Sequence, residues 1–180
     1  MKDGQHNRSA NSDLRQLGDS NLYVSTVGLG CWPIAGMTSL DVNLDDSKKT
    51  LAAAIDSGIN FLDTAHAYGI DGLSERLVGE AIRGRRDDLV IATKGGVTWV
   101  DGRATYNAAP KQIIAECEQS LQRLNIDTID LYYLHNFDPQ TPLEDTAGAF
   151  VELRAAGKIR EVGVSNLTAQ QTQTFHSVCK

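Results

Sequence analysis

Five near-continuous apolar runs recur along the chain: 26–32 (TVGLGCW), 60–65 (NFLDTA), 88–94 (DLVIATK), 129–135 (IDLYYLH) and 159–165 (IREVGVS). Runs without polar alternation are expected of parallel strands covered on both faces. Amphipathic segments lie between them. In the third, Ile113, Cys117, Leu121 and Leu124 recur at i, i+4, i+8 and i+11, one stripe of a helix. Pro110 suits the first turn of that helix. Thr141 with Glu144, and Thr168 with Gln171, carry the spacing of a reciprocal N-terminal cap. Gly58, Gly84, Asn125 and Gly157 are residues that tolerate the left-handed backbone past a helix end. Upstream, LRQLGDSNLYVS places turn residues Gly18–Asn21 between two short strand-like runs and predicts a β-hairpin. Residues 1–12 are polar throughout and read as a disordered leader, leaving 13–180 as one domain.

Strict alternation of strand and helix leaves two architectures, an open doubly wound sheet or a closed (β/α)8 TIM barrel. VGLGCWP has Gly28 and Gly30 but lacks the third glycine and the helix start of a dinucleotide-binding turn. The ionisable residues favour the barrel. Asp63, Lys94 and His135 each stand at the end of a different apolar run, and Tyr68 follows Asp63 by five residues. The C-terminal ends of barrel strands are where such folds do chemistry. The expected fold is therefore α/β, of TIM-barrel type and incomplete: an N-terminal hairpin plus about five βα units, ending before eight strands could close.

The four residues suit reduction of a carbonyl. Hydride arriving at the carbonyl carbon leaves negative charge on oxygen, which needs a proton or aimed donors. Tyr68 can supply the proton. A nearby Lys94 ammonium is expected to lower the phenol pKa toward the working pH. Asp63 would hold Lys94 charged, and a neutral His135 would orient the substrate oxygen.

These segments resemble the aldo-keto reductases. INFLDTAHAYG with GLSERLVGEAI is similar to the family signature around its catalytic Asp and Tyr; VIATKGG resembles its lysine strand, and DLYYLHNFDP its histidine strand. RQLGDSNLYVSTVGLGCW resembles the family's barrel-bottom hairpin and first strand. GKIREVGVSN resembles the fifth strand, whose Ser-Asn pair holds the nicotinamide carboxamide. The resemblance implies an NADP-dependent oxidoreductase acting on an aldehyde or ketone, with NADP(H) held in part by Ser165 and Asn166. It implies that Trp32 packs over the substrate. Glu75 would either approach the adenosine end of the cofactor or start a helix. The family's remaining cofactor contacts lie on the last three strands, beyond the units represented here.

Two other functions compete. One is a non-catalytic cofactor-sensing or partner-binding subunit on the same fold. The other is a metal-dependent hydrolase using Asp63, His66, His135 and a modified Lys94, against which no His-x-His pair follows the first strand. No CxxC or HExxH spacing is present, and no metal is expected. A formal charge of −6 gives no basic footprint for nucleic acid or an anionic membrane. No run approaches the length of a membrane span. Cys31, Cys117 and Cys179 are an odd, widely spaced set, which suits a reducing, cytoplasmic setting. Five strands would leave two open sheet edges, which invite self-association.

Overall fold

The computed structural model describes residues 14–38 and 42–180. The expected leader lies outside them. The anticipated hairpin forms from β1 (Leu14–Gln16) and β2 (Tyr23–Ser25), paired antiparallel. Leu17 donates its N–H to Leu22 O at 2.9 Å across the turn, where Gly18 takes a positive φ of 57°. Leu22 and Val24 are buried against Val90, with Phe61 packed beside them. The hairpin therefore closes the N-terminal end of the sheet.

Five parallel strands follow in sequential order: β3 (Leu29–Gly30), β4 (Phe61–Asp63), β5 (Val90–Gly95), β8 (Ile129–Leu134) and β9 (Ile159–Val164). The strand order never reverses, whereas a doubly wound sheet reverses once. The helices α1 (Leu44–Asp56), α2 (Leu73–Ala81), α3 (Pro110–Leu124), α4 (Leu143–Ala155) and α5 (Ala169–Cys179) each pack against the next. One consecutive row of helices on one consecutive row of strands is the winding of a (β/α)8 barrel. Between the two rows lies the main core, in which Leu51, Leu62, Ile91, Ile113, Cys117, Tyr132 and Phe150 are fully buried. Tyr132, Phe150 and Phe175 stack in series at centroid distances of 5.2 and 5.3 Å.

The stripe on α3 is buried as its spacing predicts, and Pro110 opens the helix. Thr168 and Gln171 form the reciprocal cap on α5. Gly58, Gly84, Asn125 and Gly157 all have positive φ. The first strand is shorter than the apolar run implied, only Leu29–Gly30. A Cβ at Gly28 would lie 2.7 Å from the Phe61 ring, so glycine is what lets the chain enter the sheet there.

Two features depart from the sequence reading. The run after β5 forms an antiparallel hairpin, β6 (Val97–Val100) with β7 (Arg103–Tyr106), which the five-unit scheme does not contain. Its Asp101-Gly102 turn has the two-residue type I′ signature, with both φ values positive. The second departure is at α4. Thr141 does not cap that helix, whose start has no side-chain cap. Instead the Thr141 hydroxyl donates to Asp138 Oδ2 at 2.8 Å. The Asp138 carboxylate also accepts the N–H groups of Ala108 and Gln140, each at 2.9 Å. Although burial works against ionisation, these donors hold the Asp138 carboxyl below its ordinary pKa. The helix begins one residue later than the cap spacing implied, with Pro142 at its N-cap position, and the Thr141 hydroxyl serves as a donor to a charged acceptor.

Asp138 should therefore matter more to stability than Thr141. Asp138→Ala is expected to lower unfolding free energy by about 3 kcal/mol and Thr141→Val by less than about 1 kcal/mol, read by urea denaturation.

Candidate active site

Asp63 is the last residue of β4, Lys94 the penultimate residue of β5, and His135 directly follows β8. The register steps them by two residues from strand to strand, which keeps all three on one face of the sheet. Asp63 is paired with Ala92, Ala92 with Leu131, and Lys94 with Tyr133. Beyond β4 the chain continues along β5, with Thr64 N donating to Ala92 O at 2.9 Å and His66 N to Lys94 O at 3.0 Å. It then turns sharply, and Tyr68 N returns to Ala65 O at 3.0 Å. That turn places the Tyr68 ring back over the strand ends. Further bonds hold it there. Ser74 N donates to Tyr68 O at 3.1 Å, and the Thr64 hydroxyl to Ser74 Oγ at 2.8 Å.

Lys94 is buried at 6% exposure. A lysine placed there requires a counter-charge. Its Nζ donates to Asp63 Oδ1 at 2.6 Å and to Thr64 O at 2.8 Å. The ammonium lies 5.1 Å from the centroid of the Tyr68 ring and 5.6 Å from that of Tyr133. Tyr68 meets Trp32 edge-on at 4.9 Å and His135 edge-on at 5.7 Å. Asp63, Tyr68, Lys94, His135 and Trp32 thus form one contiguous group.

The expected acidification of the phenol is not what the surroundings produce. Burial, then the Asp63 carboxylate, then Cys31 push the Tyr68 pKa up to about 12. The correction has a simple cause. Asp63 sits at hydrogen-bond distance from Lys94 and offsets the ammonium's field, while desolvation disfavours the phenolate. His135 moves the other way. Burial, then the Lys94 charge, lower it to about 4, so the ring is neutral at physiological pH as expected. Its Nδ1 is buried with no hydrogen-bond partner among the described residues. Burial, then Asp63, raises the Cys31 thiol to about 12, which leaves it unreactive beside the group.

Ser165 and Asn166 follow β9 and reach the group through His135. Asn166 Nδ2 donates to His135 O at 2.9 Å and to Ser165 Oγ at 3.0 Å. Asn166 adopts a left-handed φ of 58°, which turns its side chain back over the strand ends. With both amide bonds donated, its amide oxygen remains an acceptor and the Ser165 hydroxyl a donor. One acceptor beside one donor matches the NH2 and C=O of a carboxamide, so these residues fit a nicotinamide.

Other candidates fall elsewhere. Glu75 is fully buried between Thr93 Oγ1, at 2.7 Å, and Arg123 Nη1, at 3.2 Å, and braces α2 against α3. His66 turns its ring to Gln119, with Nε2 2.9 Å from Oε1. It does not converge with Asp63 and His135 as the hydrolase alternative required. Among the described residues no group of three or more His, Cys, Asp or Glu side chains is arranged to hold a metal ion. The sequence reading missed Trp99 on β6, whose indole Nε1 donates to Ala67 O at 3.0 Å and so bears on the Tyr68 turn. The Asp101-Gly102 pair was the available signal for the hairpin that carries it.

A sequence profile described as the aldo/keto reductase family matches residues 26–180. The chain is 43% identical over 168 residues to aldo-keto reductase YhdN of Bacillus subtilis, covering 92% of this chain and 50% of that protein. It superposes on the glycerol dehydrogenase AKR11B4 of Gluconobacter oxydans with a TM-score of 0.83 at 35% identity, covering 95% of this chain and 53% of the other. The holo form of aldo-keto reductase AKR11C1 from Bacillus halodurans gives 0.76 at 38% identity, covering 86% and 50%. The chain spans about half the length of the curated relatives it matches. With the winding of the sheet and the residues at its strand ends, these likenesses show that the chain belongs to the aldo/keto reductase family.

Proposed function

We propose that the chain carries the proton-donating half of an NADP-dependent carbonyl reductase site, converting an aldehyde or ketone to an alcohol. The observation that carries the reading is the Tyr68 phenol packed between Trp32 and neutral His135, above a buried Lys94 paired with the half-buried Asp63. Ser165 and Asn166 would hold the nicotinamide carboxamide, and the bound cofactor supplies hydride to the carbonyl carbon. Trp32 would cover the substrate. His135 would donate one hydrogen bond to the carbonyl oxygen and so fix its position.

Tyr68 then delivers its proton to the same oxygen. A raised pKa suits this role, because the phenol stays fully protonated across the working range and an alkoxide is far more basic than a phenolate. Lys94 remains charged beside Asp63. Burial and the Asp63 carboxylate outweigh the ammonium, so the basicity of the alkoxide, not an acidified phenol, draws the proton across. The free thiols of Cys31, Cys117 and Cys179 support a reducing, cytoplasmic setting for this chemistry.

Tyr68→Phe is expected to lower the rate of carbonyl reduction by about 10²- to 10⁴-fold while NADPH affinity stays within about twofold of the parent. Steady-state kinetics and NADPH fluorescence titration measure the two. Equal loss of both would overturn the assignment.

The pH profile carries a second test. Reduction needs the protonated phenol, and burial raises its pKa from 10 to about 12. The rate of reduction should therefore hold through about pH 10, where an ordinary tyrosine is half ionised, and decline only above it. A decline centred near pH 8 would show that the cation, not burial, governs the phenol.

A further inference from the structure

The side of α3 nearest the candidate site is polar. Glu116, Gln119 and Arg123 stand at i, i+3 and i+7 and so share one face. Each touches the backbone or side chains next to Tyr68 and Lys94. Buried Glu116 accepts the Gly96 N–H on Oε2 at 2.5 Å, two residues past Lys94. Arg123 Nη1 donates to His66 O at 3.3 Å. Gln119 Oε1 lies 2.9 Å from His66 Nε2. His66 is itself bonded to β5, through its N–H to Lys94 O.

His66 is the second residue of the turn that ends on Tyr68. Its neighbours in that turn are Ala65 and Ala67, which have no polar side chain. The imidazole is thus the turn's one polar side-chain tether besides Tyr68. Ring and amide thus share one hydrogen bond through Nε2. The other nitrogen, Nδ1, is buried without a hydrogen-bond partner among the described residues, 3.9 Å from Glu116 Oε1. A side chain serving only to fill space there would not need a nitrogen aimed at α3.

We propose that His66 is a positioning residue for Tyr68, its ring docked on α3 so that one helix fixes both the 65–68 turn and the Gly96 end of β5. The spacing between the phenol and the Lys94–Asp63 pair is then set by α3. The inference rests on the reading of Tyr68 as proton donor, but its test does not need turnover.

Tyr68 faces Asp63, Lys94, Cys31, His135 and Trp32, and its ionisation reports whether it keeps that setting. The experiment is a pH titration of the full chain carrying ¹³C at the tyrosine ring Cζ, with Tyr68→Phe identifying the resonance. In the parent the Tyr68 signal is expected to titrate above those of the exposed tyrosines. In His66→Leu, which keeps bulk and loses the hydrogen bond, it should titrate at least about one pH unit lower as the loosened turn lets water reach the phenol. Gln119→Leu should shift it in the same direction, and Gln119→Glu, which keeps the acceptor, should restore the parent behaviour. Gln119 is exposed, so its variants decide the matter if His66→Leu does not fold. An unchanged Tyr68 titration in Gln119→Leu, or equal shifts in the Leu and Glu variants, would overturn the proposal. Retained reduction by Tyr68→Phe would overturn the donor reading alone and leave the titration result standing.

Discussion

The ion pair between Lys94 and Asp63 is the constraint on which the C-terminal end of the sheet depends. A lysine at 6% exposure is tolerable only beside a carboxylate, and the two come from adjacent strands. Their contact at 2.6 Å therefore requires β4 and β5 to pair in one register. A slip of one residue would turn Lys94 toward the helices and bury its charge unpaired. The same pair shapes the electrostatics above it. Burial is the larger cause of each shift, and the pair adds to it, lowering His135 through the ammonium and raising Tyr68 and Cys31 through the carboxylate.

Polar groups buried on the helix side of the sheet complete this arrangement. Thr93 points opposite to Lys94 and donates to Glu75, which Arg123 neutralises. Glu116 takes the Gly96 N–H just beyond. The end of β5 is thus held from both faces, by the Lys94–Asp63 pair on one side and by Glu75 and Glu116 of the helices on the other. At the opposite end, Asp130 plays a comparable part. It takes Arg86 at 2.7 Å and Arg160 at 3.0 Å while accepting the Ile91 N–H.

Much of the fold is legible in the sequence because its signals are local and repeated. Five apolar runs, the α3 stripe and the helix-ending glycines each report a backbone preference that packing reinforces. The juxtaposition of Asp63, Tyr68, Lys94 and His135 is legible for a related reason, since a polar residue closing an apolar strand can only stand at the strand's end. What escaped the reading involves competition between partners. Thr141 has the spacing of a cap, but the helix starts with Pro142 at its N-cap position and the Thr141 hydroxyl donates to Asp138 instead. Tyr68 was expected to be acidified by Lys94, but the charge of Asp63 and the loss of water weigh more, and neither shows in residue order. The β6–β7 hairpin is signalled by Asp101-Gly102 but lies outside an alternation of five βα units.

The chain has two tryptophans, and both touch the same turn. Trp32 stacks edge-on against Tyr68, and Trp99 bonds to the carbonyl of Ala67. Indole emission from this protein consequently originates at one corner of the molecule. Its intensity and colour report the hydration of that corner rather than the integrity of the whole sheet, so a change in glow and a loss of helix need not coincide.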